Sequence, residues 1–457
     1  MNKIFFICLC FIVVCSAFVS SLSSDRFASL EDSTYKSYYF NAVHDCEDIA
    51  PFFLALGDSR VDIVGIGDSN QGFGGTGWDH GWQYALSSRF PMYATGLITQ
   101  NENNGHGAGL GYYYSRSSSG PLGNYFGAPY LFDRYLSLGT TSTPLGPNRY
   151  MYLPEGEISS FSLQGLSLQK DIPLNISAPL RFHLTYGLFD EGNGSFRPVV
   201  RKDEPGYSVL VRSPNIVSTQ GEEGSIDYYS LDLPASLRNY SLGFRYVGAG
   251  EANLQAPFFG LYSRAENLDR LNGFSFNTLH YGGGYSARDM AEALNSADDE
   301  TLSQYFKEVR RLQGQNKKVL VRINSGLNDR NELSPSYTQG IVPGNSREAF
   351  GDNIQSIVSR IESIWILNGW DVNELYFLIV VSHDVPGDVH LGAYRIEAKQ
   401  LADNLPRTAS VDLAHIVPTY RISQNNWYVS SNDFNHLSTE GYEQISTREL
   451  DAIISCI

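Results

Sequence analysis

Short apolar runs alternate with stretches of helical periodicity at both ends of the 457-residue chain. A run rich in β-branched residues predicts a buried strand at 61–66, and further short runs predict strands at 274–279, 318–323, 375–381 and 410–417. Apolar positions at helical spacing predict helices over 48–56, 78–90, 300–312, 346–367 and 396–405, with further helices beginning at Ser286 and Ser438. This alternation of strands and helices predicts a parallel sheet covered by helices on both faces.

The pattern changes between about residues 106 and 272. Alternating runs such as 180–186 and 241–246 are separated there by clusters of Gly, Pro, Asn and Asp. Such spacing is typical of an antiparallel β-sandwich. We therefore predict an α/β domain formed by 25–105 and 273–457, with a β-sandwich of 106–272 inserted after its first βα unit. The insertion follows the helix 78–90 and leads into the strand 274–279, so we expect it to border whatever lies at the carboxyl edge of the sheet.

The first residues have the layout of a secretory signal peptide, which we place at 1–24. Lys3 is followed by an apolar run from Ile4 to about Val19 and then by small residues. An uncleaved anchor is the alternative, but the run is short for a membrane span. Lipidation at Cys15 is disfavoured because no small residue directly precedes it. We expect a secreted, periplasmic or cell-surface protein with no stable membrane span after cleavage.

Only Cys46 and Cys456 remain once the signal segment is removed. Two cysteines are too few for a structural zinc site. An oxidising compartment would let them pair, so we predict a disulfide between the two ends of the mature chain. Two buried free thiols are the alternative.

Charge and composition argue against a nucleic-acid-binding protein and against a disordered chain. Asp and Glu (49) outnumber Lys and Arg (33), so no basic excess exists to neutralise nucleic-acid phosphates. With 42% apolar and 18% charged residues the chain can bury a sizeable core. Tyrosines crowd the start of the insertion, where they either pack into strands or stack on sugars.

The first candidate for chemistry is Ser69, in a Gly-Asp-Ser turn that follows the strand 61–66. A serine there would lie at the carboxyl edge of the sheet, with a helix N-terminus facing an oxyanion. The alternative is a serine that merely caps the next segment. Ser59 lies in an identical Gly-Asp-Ser triplet, but it precedes the strand and would lie at the wrong edge.

Asp433 and His436, three residues apart before the last helix, are the second candidate. In a tight turn the carboxylate can accept from one imidazole nitrogen and leave the other as a base. Asp412 and His415 have the same spacing, but they fall in a predicted strand, where residues three apart point to opposite faces.

Two further segments follow predicted strands and offer hydrogen-bond donors. Asn328 can present its amide N–H to a developing negative charge, although an Asn-Asp pair is also a common turn former. The loop His280–Ser286 contains three consecutive glycines, which would allow a backbone N–H to approach a ligand closely.

The order Ser, Gly, Asn, Asp-x-x-His resembles the SGNH hydrolases, also called the GDSL esterase/lipase family, over about 50–95 and 274–457. The resemblance implies a flavodoxin-like α/β/α fold, with Ser69 as nucleophile and Asp433 and His436 completing the triad. It also implies an oxyanion hole of the Ser69 and Gly284 N–H groups and the Asn328 amide; Gly283 is an alternative to Gly284.

The chain departs from the family pattern in two ways: Asn70 stands where Leu is usual, and the stretch from Ser69 to Gly284 is far longer than in compact members. An SGNH domain split by a β-sandwich resembles some O-acetylesterases of peptidoglycan and plant polysaccharides. We expect a serine esterase that removes small acyl groups, O-acetyl being favoured, from a carbohydrate or cell-wall polymer without cofactor or metal. The alternatives are a lipase or thioesterase of the same fold and a non-catalytic carbohydrate-binding surface protein.

Overall fold

The computed structural model describes residues 42–68, 70–71, 77–94, 96–99, 114–116, 151–152, 158–162, 179–188, 195–204, 207–212, 217–218, 220–222, 225–233, 240–246, 257–258, 260–280, 286–297, 299–314, 317–331, 347–388 and 390–457. The predicted signal segment 1–24 lies outside these residues. None of the helices in the described part combines the length and apolar character needed to cross a bilayer.

A six-stranded sheet forms the centre of the α/β domain. Its strands are β1 (Val43–His44), β2 (Arg60–Gly67), β15 (Gly273–His280), β16 (Val319–Ser325), β17 (Leu375–Val381) and β18 (Thr408–Asp412). Their spatial order is β1-β18-β17-β16-β2-β15, and every neighbouring pair is parallel except β1 with β18. Counted along the chain, the five parallel strands have the order 2-1-3-4-5, which is the flavodoxin-like arrangement.

Nine α-helices are described, and they surround this sheet. They are α1 (Cys46–Asp58), α2 (Trp78–Ser87), α3 (Ala287–Ser296), α4 (Asp299–Arg310), α5 (Arg347–Leu367), α6 (Leu391–Asn404), α7 (Leu413–Ile416), α8 (Thr419–Gln424) and α9 (Thr439–Cys456). Single 3-10 turns occur at Asp329–Asn331 and Val372–Glu374.

Two hydrophobic clusters cover the two faces of the sheet. Alternate residues of β2 face opposite sides, with Val61 and Ile63 in one cluster and Val64 and Ile66 in the other. The first cluster includes buried residues of α1, α2 and α9, and the second includes those of α3, α4, α5 and α6. The domain therefore has three layers, as the alternation of strands and helices predicts.

Helix α9 is anchored to the sheet by a fully buried ion pair. Arg322 of β16 donates to both carboxylate oxygens of Glu449, through Nε at 3.1 Å and Nη2 at 2.9 Å. Trp82 of α2 donates to the same carboxylate through its indole N–H at 2.9 Å. The Glu449 carboxylate therefore joins β16, α2 and α9.

Some predicted elements differ from the observed ones near residue 410. The prediction of one strand over 410–417 is wrong, because β18 ends at Asp412 and α7 follows. The Asp412 side chain accepts from the backbone N–H groups of Ala414 and His415, so a helix cap overrides the apolar run. Helix α6 also begins five residues earlier than predicted, at Leu391.

The segment between the two halves of the α/β domain is built of antiparallel strands. They are β3 (Ile98–Thr99), β4 (Tyr114–Arg116), β5 (Met151–Tyr152), β6 (Ile158–Ser162), β7 (Leu180–Gly187), β8 (Ser195–Glu204), β9 (Tyr207–Arg212), β10 (Val217–Ser218), β11 (Ile226–Leu233), β12 (Tyr240–Tyr246), β13 (Pro257–Phe258) and β14 (Gly260–Asn267). One larger sheet has the order β10-β8-β12-β6-β4, with β9 beside β8, and the other has the order β11-β7-β14-β3. A two-stranded sheet joins β13 and β5. Their assembly into one sandwich stays a prediction, as do the domain boundaries.

Charged side chains join the four-stranded sheet to the α/β domain. Glu266 of β14 pairs with Arg60 at the start of β2, at 2.6 Å. Arg264, fully buried, donates to the carbonyl of Glu308 at 2.7 Å and lies 3.8 Å from Asp62. These contacts lie toward the amino end of β2, away from Asp68. They do not test the expectation that the insertion borders the site.

Cys46 and Cys456 form a disulfide, with their Cα atoms 6.1 Å apart. Cys46 is the first residue of α1 and Cys456 is the last of α9. The predicted pairing is confirmed, and it joins two helices of the same layer.

Candidate active site

The site lies where the order of the strands in the sheet reverses. In a 2-1-3-4-5 sheet the first and third parallel strands lie side by side, and loops leaving their carboxyl ends diverge to form a crevice. These strands are β2, followed by Asp68, and β16, followed by the loop that carries Asn328. The Asn328 side chain donates to Asp68 Oδ2 at 2.7 Å and thus connects the two loops across the crevice.

Both neighbours of Ser69 are held by side-chain hydrogen bonds, although Ser69 itself lies outside the described residues. Asn70 donates its backbone N–H to Asp68 Oδ1 at 2.8 Å. The Asn70 side chain accepts from the hydroxyl of Tyr442, on α9, at 2.7 Å. The turn that carries the predicted nucleophile is therefore tied to the helix that follows the predicted Asp-His pair.

Asp68 is a fully buried carboxylate at the centre of this arrangement. Burial raises the pKa of Asp68 to about 6, opposed by hydrogen bonds from Asn70 and by the charge of His436. The hydrogen bond from Tyr442 to Asn70 brings the helix that follows His436 to the carboxyl edge of β2.

Asp433 and His436 lie in β20 (Asp433–Leu437), which forms a hairpin with β19 (Tyr428–Ser430). Asp433 Oδ1 accepts from the backbone N–H groups of Asn435 and His436, at 3.0 and 3.1 Å, and Oδ2 lies 2.9 Å from His436 Nδ1. Burial raises the pKa of Asp433, but hydrogen bonds from His436 outweigh it, and the pKa lies below its usual value. An ionised Asp433 fixes the tautomer with hydrogen on Nδ1, so the lone pair is on Nε2.

Asp329, next to Asn328, holds the loop after β16 in place. Its Oδ2 accepts from the Ser325 hydroxyl at 2.8 Å and from the Gly326 N–H at 2.9 Å. Its Oδ1 accepts from the N–H of Ala287, the first residue of α3, at 2.9 Å. The loop of Asn328 is thereby joined to the helix that follows the glycine-rich segment; Gly284 and its alternative Gly283 lie outside the described residues.

His383, which follows β17, binds the backbone of the β19–β20 hairpin. It is fully buried, and its Nε2 donates to the carbonyl of Phe434 at 3.2 Å. Burial lowers its pKa to about 4, so the ring is neutral at physiological pH. The rings of Trp78 and Tyr428 lie 6.2 and 6.1 Å from it. A neutral histidine thus holds the backbone between Asp433 and His436.

The two decoys, Ser59 and the pair of Asp412 and His415, lie outside the crevice between β2 and β16. Ser59 follows α1 and donates its hydroxyl to the carbonyl of Ala55 at 3.1 Å, at the amino end of β2. His415 is an exposed residue of α7, and Asp412 caps that helix. The prediction that both residues lie in one strand, on which this pair was rejected, is therefore wrong, because it is Asp433 and His436 that lie within one strand. Neither the serine nor the aspartate–histidine pair belongs to the crevice between β2 and β16.

The sequence reasoning missed Asp68 and His383 as members of the site. Asp68 is the first residue after β2, and His383 is the second residue after β17. Their positions just beyond the ends of buried parallel strands were the signal that could have identified them. Asp68 is part of the Gly-Asp-Ser triplet, but only its complete burial and its bond to Asn328 distinguish it from Asp58 in the decoy triplet.

Comparisons with known proteins give weak matches. No family model matches the chain, and no curated protein matches it. Solved structures similar to it include a family two carbohydrate esterase from Cellvibrio japonicus (10% identity over 67% of this chain and 93% of that chain, TM-score 0.23). Others are an acetyl xylan esterase from the rumen bacterium Butyrivibrio proteoclasticus (8%, 65% and 88%, 0.24) and a xylan-binding module (6%, 26% and 74%, 0.19). At these TM-scores the similarities carry no weight, and the conclusions below rest on this chain's own geometry.

Proposed function

We propose that the protein is a secreted serine esterase of the SGNH type that removes small acyl groups from a carbohydrate. The observation that carries this proposal is the hydrogen-bonded pair of Asp433 and His436, whose following helix binds Asn70 through Tyr442, together with the bond from Asn328 to Asp68. A base and an amide donor at one sheet edge, next to a serine, suit acyl transfer.

In this mechanism Ser69 Oγ attacks the ester carbonyl while His436 Nε2 takes its proton. Asp433 keeps the imidazole oriented and stabilises its charged form. The oxyanion accepts from the N–H groups of Ser69 and Gly284 and from the amide of Asn328. The protonated His436 then donates to the leaving alcohol oxygen, and an acyl-enzyme forms on Ser69. Water attacks this ester by the same route and releases the acid.

The bond between Asn328 and Asp68 gives the amide a defined orientation. A primary amide has two N–H donors, and the one that binds Asp68 at 2.7 Å fixes the plane of the group. An orientation fixed before the reaction is what makes such a donor effective, since no reorganisation is then required.

A carbohydrate as the acyl carrier is inferred from the tyrosine-rich start of the insertion, at Tyr112, Tyr113 and Tyr114, a segment that lies mostly outside the described residues. Aromatic rings can stack on sugars, and a net charge of -16 argues against polyanionic partners. Acetyl is the favoured group because the sequence contains no long apolar lid segment for fatty chains.

Acetate release from acetylated xylan, other acetylated polysaccharides and peptidoglycan tests this proposal, with acyl esters of increasing chain length alongside. Ser69→Ala and His436→Ala should each abolish hydrolysis, and the double variant should be no worse because the two residues act as a unit. Asn328→Ala should lower kcat by about 10²–10³.

The duplicate sequences supply matched controls. Ser59→Ala and His415→Ala should leave kcat unchanged, because neither residue lies at the crevice. A preference for long acyl chains would favour the lipase alternative. Sugar binding without hydrolysis of any ester would favour the non-catalytic alternative, and activity in Ser69→Ala would contradict the triad.

A further inference from the structure

Arg330 joins three loops at the carboxyl edge of the sheet. Its Nε donates to the carbonyl of Leu327 at 2.9 Å, within the loop that carries Asn328. Its Nη1 pairs with Asp388 Oδ2 at 3.0 Å, after β17, and its Nη2 donates to the side chain of Asn435 in the β19–β20 hairpin. All three guanidinium nitrogens are thus engaged, each with a different segment.

The partners of Arg330 are themselves fixed. Asp388 Oδ1 accepts from the N–H groups of His390 and Leu391 at the start of α6, at 2.8 and 3.0 Å. The Asn435 N–H is held by Asp433 Oδ1 at 3.0 Å. Arg330 therefore connects a helix cap on one side with the turn that shapes the Asp-His pair on the other.

We propose that Arg330 is a positioning residue that keeps the Asn328 amide and the His436 imidazole in register with each other. Asn328 precedes Arg330 by two residues and Asn435 precedes His436 by one, so a single side chain sets the distance between the oxyanion donor and the base. The inference rests on the esterase function proposed above, but Arg330 itself has no part in that mechanism.

Only arginine can meet this geometry. The guanidinium is planar and directs its donors at fixed angles, whereas a lysine ammonium is a single point on a flexible chain and cannot reach three separate acceptors. The side chain is mostly buried, at 12% exposure, and its bonds to Leu327 and Asp388 are partly shielded from solvent, whereas the bond to Asn435 is exposed. Arg330→Lys should therefore resemble Arg330→Gln rather than the wild type.

Arg395 offers a matched control. It is equally buried, at 11% exposure, and it also connects the segment after β17, through Asp384 at 2.6 Å, with another element, through Asp412 at 3.1 Å. None of its described partners belongs to the Asn328 loop or to the hairpin. Arg395→Gln therefore removes a similar ion pair without breaking the connection that we propose.

The first test is steady-state kinetics on the best ester substrate. Arg330→Gln and Arg330→Lys should lower kcat by about 10–100-fold with KM nearly unchanged, because misplacement of reacting groups affects the transition state. Arg330→Gly should recover kcat saturably when guanidinium is added at up to about 50 mM, far below denaturing concentrations. Arg395→Gln should show neither the loss nor the recovery.

The second test does not require activity. The proton on His436 Nδ1 should give a protected downfield NMR signal, identified by its absence in His436→Gln. Arg330→Gln should lose or broaden this signal while Arg395→Gln keeps it. Wild-type kinetics and signal in Arg330→Gln would overturn the proposal. Absence of esterase activity in the wild type with the signal still dependent on Arg330 would contradict the proposed function instead and leave the positioning role standing.

Discussion

Replacement of Asp68 by asparagine should change the stability of the protein in a way that depends on pH. The wild-type carboxyl group is fully buried and accepts from Asn70 and Asn328, so its ionised form has two donors but no contact with water. The asparagine side chain would have almost the same shape and no charge. The substitution therefore isolates the energetic effect of ionising one carboxyl group beside the predicted nucleophile.

The magnitude follows from the pKa. Burial raises the pKa of Asp68 from 3.8 to about 6, and each unit corresponds to about 1.4 kcal/mol, so keeping this group ionised above pH 6 costs the fold about 3 kcal/mol. Between pH 4 and 6 the folded state binds more protons than the unfolded state. The contribution of Asp68 to stability is therefore least unfavourable near pH 4 and becomes more unfavourable as pH rises through 6. Asp68→Asn should lack this dependence.

Urea unfolding at pH 4, 5, 6, 7 and 8, followed by tryptophan fluorescence, measures the effect. The free energy of unfolding of Asp68→Asn relative to the wild type should rise by about 2.5 kcal/mol between pH 4 and pH 8. A loss of about 1–3 kcal/mol that does not depend on pH should accompany this rise, because one acceptor oxygen now serves two donors. Activity should fall by about 10–100-fold, since Asn328 loses a charged partner worth about 1.5–3 kcal/mol.

Asp58→Asn is the matched control, because Asp58 lies in the decoy triplet and is exposed at the end of α1. Its stability curve should stay parallel to that of the wild type at every pH. A parallel curve for Asp68→Asn as well would refute the reasoning, since it would mean that Asp68 is as accessible to water as Asp58.

Three other predictions follow from described contacts. His383→Gln should have the opposite pH dependence. Burial lowers the pKa of His383 from 6.5 to about 4, so the wild type loses stability as the pH falls from 6.5 to 4. Urea unfolding should show that the variant keeps about 3 kcal/mol of stability that the wild type loses over this range. Arg322→Met should lower the free energy of unfolding by about 3–5 kcal/mol because it leaves the Glu449 charge buried without its ion-pair partner. Adding Glu449→Gln should restore most of this loss, because the charge is removed while the amide oxygen still accepts from Trp82, and additive losses would contradict this account. Cys456→Ser should destabilise the protein by up to the order of 5 kcal/mol, and a reductant should reproduce the effect in the wild type but not in the variant.

The parallel sheet was predictable mainly from its central strands, because β2 and β17 are buried on both faces and are rich in apolar residues, whereas β15 and β18 carry several polar residues. The run at 375–381 matches β17 residue for residue, and 61–66 falls short of β2 by one residue at each end. The order of the strands does not follow from such runs, since apolar periodicity says nothing about which strands are neighbours. It came from the resemblance to a known family, and the 2-1-3-4-5 order observed agrees with it.

The candidate site was predictable only where its chemistry is local. Asp433 and His436 are three residues apart, which allows their hydrogen bond, but Asp412 and His415 have the same spacing, so the position before the last helix was also needed to choose between the pairs. The link between Asp68 and Asn328 spans two distant segments, and that between Arg330 and Asn435 does too. Such contacts depend on the register of neighbouring strands and on loop shape, which no local pattern encodes.

The disulfide also determines what happens when the chain is cut. Every peptide bond from Cys46 to Cys456 lies inside the ring that the Sγ–Sγ bond closes. A single proteolytic cut within the inserted sheets would therefore leave one covalent molecule, with Ser69 and His436 on different fragments that cannot diffuse apart. Such a nicked protein would migrate as two fragments in electrophoresis only after reduction, so processing of the insertion in an oxidising environment need not separate the two predicted catalytic residues.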